Sequence, residues 1–108
     1  MRAGRAEALD LFRKWAAERA LLRCDFSFAR FAACLRGRVR AVTDSEIKLL
    51  SDDTASELAL RLPEGLEFGY GEPRGFPEEA AFFRSALLVL FPGEGERDFI
   101  SFTEIIGH

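Results

Sequence analysis

From Arg5 to Leu22 the apolar residues Ala8, Leu11, Phe12, Trp15, Ala16 and Leu22 recur at helical spacing, and Glu7, Asp10, Arg13, Lys14 and Glu18 fall mostly on the other side. Neither Gly nor Pro interrupts residues 5–22, and Asp10 stands four residues before Lys14, the stabilising order for an ion pair on a helix. The pattern predicts one amphipathic helix. After Leu22 the period drops from 3.6 to two. Phe26 and Phe28 alternate with Asp25, Ser27 and Ala29, and then Phe31, Ala33 and Leu35 continue in the opposite phase. One extra residue near Arg30 predicts either a β-bulge that restores a continuous core face or two strands meeting at a bend.

From Leu35 the alternation is cleaner, with Leu35, Gly37, Val39 and Ala41 on one face and Arg36, Arg38, Arg40 and Val42 on the other. Thr43-Asp44-Ser45 has turn chemistry, Ile47 and Leu49 point inward on the next strand, and Ser51-Asp52-Asp53-Thr54 turns again. Leu58, Leu60 and Leu62 then face in until Pro63 stops the strand. Residues 35–62 therefore read as a three-stranded meander. Its outer face carries Arg36, Arg38, Arg40, Glu46, Lys48, Glu57 and Arg61, and cross-strand ion pairs account for much of that arginine stripe without a ligand.

Residues 63–77 hold four glycines and three prolines and have no sustained period, which predicts a long loop, the first place to look for function. Pro77-Glu78-Glu79 is suited to opening a short helix through Phe83. The stretch Ser85–Phe91, the turn-forming run 92–96 and the return over Asp98–Ile106 give a second hairpin. Its first strand is apolar enough to be central and covered on both faces, by the N-terminal helix or by a second copy of the protein. The fold class expected is α+β: a single domain, 1–108, in which an amphipathic helix packs on a small, bent antiparallel sheet or barrel of about five strands.

Composition refines this picture. At 108 residues and 48% hydrophobic, the chain can fill one core. Its longest apolar run, Ala86 to Phe91, is far short of the roughly 20 residues of a membrane helix. The basic start at Arg2 and Arg5 is followed by Glu7 and Asp10, which interrupt any signal-peptide core, so a cytoplasmic location is expected. Cys24 and Cys34 lack metal-ligand spacing and read as two buried reduced thiols. The net charge of -3 hides a split. Residues 1–50 hold 11 Lys and Arg against 6 Asp and Glu, and residues 51–108 hold 4 against 12, which is +5 followed by -8. Such halves attract each other within the fold or between subunits.

Catalytic chemistry is not visible. Neither Gly69-Tyr70-Gly71 nor Gly93-Glu94-Gly95 has the context of a phosphate loop, and a Ser or Cys nucleophile lacks a base because His108 ends the chain. The paired acids Asp52-Asp53 and Glu78-Glu79 are adjacent residues that do not face one another. The reading is a non-catalytic protein-interaction or assembly module with no cofactor, no metal and no membrane, and with a protein partner or self-association. Two alternatives name residues. Arg36, Arg38, Arg40 and Lys48 would bind nucleic acid or another polyanion, and Tyr70 with Arg74 would hold a small molecule under the 63–77 loop.

The run Leu35-Arg36-Gly37-Arg38-Val39-Arg40-Ala41-Val42-Thr43-Asp44 resembles the first motif of the Sm-like fold, with Gly37 as the strand glycine and Asp44 as the acidic turn residue. Over about 20 residues the resemblance implies a strongly curved small sheet. The RNA-binding members continue with an asparagine where this chain has Ile47 and Lys48, and the second motif's Arg-Gly is missing, so RNA binding is not implied.

Overall fold

A computed structural model describes residues 2–28, 31–53, 56–71, 83–91 and 98–105. In chain order these form β1 (Arg2–Ala3), α1 (Arg5–Glu18), β2 (Leu22–Phe28), β3 (Phe31–Val42), β4 (Glu46–Ser51), β5 (Glu57–Arg61), β6 (Glu67–Gly71), β7 (Phe83–Phe91) and β8 (Asp98–Ile105).

The helix forms where its pattern places it, but it stops at Glu18 rather than continuing to Leu22. Glu7 reaches back to accept a hydrogen bond from the Gly4 amide at 3.3 Å, half of a capping box at the positive end of the dipole. At the other end Arg19 turns left-handed, with φ 52°. The amides of Arg19 and Ala20 fold back onto the carbonyls of Ala16 and Trp15, which is the Schellman arrangement. Nothing in the sequence marks this stop, because the left-handed residue is an arginine and not the usual glycine.

Every neighbouring strand pair is antiparallel, in the order β1-β6-β7-β8-β2-β3-β4-β5. The α+β class is as expected. The strand count is not: one sheet contains seven strands of five residues or more, plus the two-residue β1, where about five strands were expected. The terminal strands β1 and β5 do not pair with each other, so the described sheet stays open. Two ribbons make it up, β2 through β5 and β6 through β8 with β1 along its β6 edge, joined along the β2–β8 seam from Leu22↔Glu104 to Ser27↔Phe99.

The phase reversal near Arg30 has a simple cause. β2 and β3 are the arms of a hairpin whose pairs run from Leu22↔Gly37 to Phe28↔Phe31. Residues directly opposite in an antiparallel pair share a face, so a two-residue connection sets even positions against odd ones. The pattern thus reflects two paired strands and not a bulged single one. A bulge does occur later, between Val39 and Ala41, and it turns Val42 toward the core and leaves Ala41 exposed, the reverse of the sequence expectation.

The core lies between α1 and one face of the sheet. Phe12 and Trp15 are wholly buried, and the Phe12 ring meets Trp15 at 5.7 Å and Phe102 at 5.0 Å, both edge to face. Burying each such side chain stabilises the fold by roughly 1.5–3 kcal/mol. The indole of Trp15 donates to Glu104 at 3.1 Å, beneath the helix. Gly37 is where β4 comes closest, since a Cβ there would lie 2.5 Å from the Leu50 carbonyl oxygen. The Arg5 guanidinium ties the helix start to the far ribbon by donating to the carbonyls of Asp44, Leu62 and Pro63 at 2.8, 2.5 and 3.2 Å.

A strand interrupts the expected 63–77 loop, of which residues 72–77 lie outside the described residues. Glu67–Gly71 is β6, held by β1 on one side and β7 on the other. Glycines at 69 and 71 suggested a loop, but Phe68 and Tyr70 alternate with them as a core-facing pair, and Phe68 is buried. Arg74 and the proposed helix from Pro77 lie outside the described residues, except that Phe83 opens β7.

Candidate interaction edge

The basic residues that the sequence singles out are dispersed by the register. Arg38 binds Asp52 at 3.1 Å and also donates to the Arg19 carbonyl at 3.2 Å. Arg40, inside the bulge, binds Glu57 at 2.6 Å. Arg36 is exposed and stands opposite Arg23, which engages Asp25 at 3.2 Å. Lys48 is exposed between Ala41 and Ala59. Two of the four cations are therefore matched by carboxylates, as ion pairing across a meander leads one to expect. Tyr70 lies in a strand opposite Leu87, half-buried against the core, and so does not serve as an exposed loop aromatic.

A different feature stands out on β3. Its first half pairs with β2, while β4 joins only from Gly37↔Ser51 onward. Among the described residues, Phe31–Leu35 thus has a strand on one side and none on the other. The Asp52 amide donates to the Arg36 carbonyl at 2.8 Å, so Arg36 directs its main chain toward the β4 side. Successive residues of a strand alternate sides. Hence Ala32 and Cys34 direct their N–H and C=O groups at the open edge, and Phe31, Ala33 and Leu35 direct theirs at β2.

This edge carries no charge in five residues, Phe-Ala-Ala-Cys-Leu. Phe31 to Cys34 are exposed, and Phe31 is 58% exposed, the one large apolar side chain so open among the described residues. Proteins usually blunt such edges with charges, proline or short strands. The outer strands here follow that rule: β5 presents Glu57 and Arg61 and is soon followed by Pro63, and β1 is two residues long. The β3 edge has none of these.

Its two faces differ. On the core side Phe31 stacks on Phe28 at 5.0 Å with ring planes 17° apart, and Phe28 touches Phe91 at 5.8 Å. On the other side a shallow open groove of about 440 Å³ is lined by Asp25, Ser27, Ala32, Cys34 and Ser101, among others. Cys34 is exposed, contrary to the expectation of two buried thiols, because it lies on the outer face of β3. Partial desolvation and the Asp25 carboxylate raise its pKa, against the pull of Arg23, and this keeps it a neutral thiol at pH 7. No group of three or more His, Cys, Asp or Glu side chains converges among the described residues. No helix in them is long and apolar enough to cross a membrane.

Periodicity puts Phe31, Ala33 and Leu35 in one phase, and the register keeps them on one face, opposite Phe28, Phe26 and Cys24. The signal it lacks is how far the cover extends, which depends on where α1 and β4 end. No protein family, curated protein or solved structure matches the chain.

Proposed function

We propose that this protein is a non-catalytic interaction module that takes up an extended segment of a partner as an added strand along Phe31–Leu35. The observation that carries the reading is the unblunted edge itself: an uncharged, exposed half-strand with outward N–H and C=O groups on Ala32 and Cys34. Strand addition supplies main-chain hydrogen bonds for affinity, and the flanking surfaces select side chains. Here those surfaces are the Phe28–Phe31 stack on one face and the Asp25–Cys34 groove on the other. The engagement of Arg38 and Arg40 by acids supports this reading over polyanion binding.

The test uses a displayed library of extended decapeptides selected on the full chain, with amide exchange read at Ala32 and Cys34. Enriched peptides are expected to slow exchange at these two amides and to lose binding to Ala32→Pro. That substitution removes an outward donor and no internal bond. Peptides that bind wild type and Ala32→Pro equally, or a library that yields no binder, would refute the strand-accepting edge.

A further inference from the structure

We propose that the strand taken up is β3 of a second copy of this chain, antiparallel to the first about a two-fold axis through Ala33; the proposal rests on the strand-accepting reading above. The open edge is a slot of limited length. At one end the Asp52 amide already occupies the Arg36 carbonyl, and at the other the strand turns back into β2 at Phe31↔Phe28. What fills it must therefore be short, uncharged and slender in the middle, and the segment Phe31–Leu35 is itself such a strand.

Two-fold symmetry leaves few registers, because each outward residue must meet an outward residue. Centring the axis on Cys34 would set Phe31 of the partner subunit opposite Gly37, where β4 already pairs through Ser51. Centring it on Ala32 would leave Cys34 facing a position beyond the five-residue segment. Centring it on Ala33 pairs Ala32 with Cys34 of the partner subunit and Cys34 with Ala32 of the partner subunit. That register satisfies every outward N–H and C=O on both segments with four hydrogen bonds. It also places Phe31, 58% exposed in one copy, opposite Leu35 of the partner subunit. Every cross-strand pair within the seam is apolar, and the smallest side chains meet at the axis.

A seam of five residues is much smaller than the roughly 800 Å² per partner of a standard interface, so a reversible dimer with a dissociation constant of about 10 μM to 1 mM is expected. Sedimentation equilibrium of the full chain from micromolar to millimolar concentration tests this, together with two variants in a Cys34→Ser background. Residue 33 faces its own copy in a non-hydrogen-bonded pair, with Cα atoms about 4.5 Å apart, a separation a disulfide spans. With oxidised glutathione as the oxidant, Ala33→Cys is expected to cross-link between copies at least tenfold faster than Ala32→Cys, and Ala32→Pro is expected to abolish the dimer. Should Ala32→Pro fail to fold by circular dichroism, the cross-linking pair decides. A chain monomeric at millimolar concentration, or a dimer in which Ala32→Cys cross-links as fast as Ala33→Cys, overturns the proposal. If the chain is monomeric but selected peptides still protect the Ala32 and Cys34 amides, the second-copy inference falls and the strand-accepting edge stands; if neither occurs, both fall.

Discussion

Two cysteines on neighbouring strands, paired through Cys24↔Leu35 and Asp25↔Cys34, have opposite environments because consecutive positions point to opposite faces. Cys24 is wholly buried in the core, and burial, with smaller contributions from Asp25 and Cys34, pushes its thiol up to about 12 from an ordinary value of 9.0. The unfolded chain releases this proton near its ordinary value, while the folded chain keeps it. The stabilisation is therefore complete below about pH 9 and is lost as pH rises from there toward 12, at no more than about 1.4 kcal/mol per pH unit. Urea unfolding of wild type and Cys24→Ala at neutral pH and near pH 10.5 checks it: the wild-type advantage should shrink in alkali. An advantage that stayed constant would mean that the buried thiol ionises as readily as a free one. The sequence identifies both residues as unligated cysteines, but their different fates depend on parity within a hairpin whose connection, Ala29-Arg30, has neither glycine nor proline to mark it.

At the scale of elements, the hydrophobic pattern found α1, the β3–β4–β5 meander and the β7–β8 hairpin. It misread the places where one residue decides the geometry. The end of α1 at Arg19 and the bulge at Arg40 have no compositional mark, and the strand at Glu67–Gly71 was hidden by its glycines. Arg5 belongs to the same class of contacts. It reads as the first polar residue of a helix, yet its fork gathers three carbonyls, one from the β3–β4 turn and two from the segment after β5. Hydrogen bonds to a charged donor count for more than neutral ones, and partial exposure reduces that, so Arg5→Ala should lower stability by about 1–2 kcal/mol in urea titration. Arg5→Lys should recover less than half, because a single ammonium cannot span the fork. Full recovery by lysine would show that charge alone holds the helix start.

At the scale of the whole molecule, ion pairs between the halves of opposite charge include, among the described residues, Arg38–Asp52 and Arg40–Glu57. Both are substantially exposed, and exposed pairs contribute about 0–1 kcal/mol each. What joins the ribbons is instead the β2–β8 seam and the core against α1, where Leu22, Cys24, Ile100 and Phe102 are buried. Raising salt to molar levels should therefore change the unfolding free energy by less than about 1 kcal/mol. A loss of several kcal/mol would assign the cohesion of the halves to their charge. The candidate edge belongs to this scale as well. Its residues were legible as alternating and apolar, but their exposure depends on where a helix and a neighbouring strand run out.

The chain contains one tryptophan, and that residue is wholly buried on the inner face of α1 with its N–H bound to Glu104. Its fluorescence therefore originates inside the core, shielded from solvent water, while the open half of β3 contributes no indole at all. Emission wavelength thus offers an intrinsic optical gauge of folding that is blind to whatever docks at Phe31–Leu35, and spectroscopy can separate a variant that has lost its partner from one that has lost its fold.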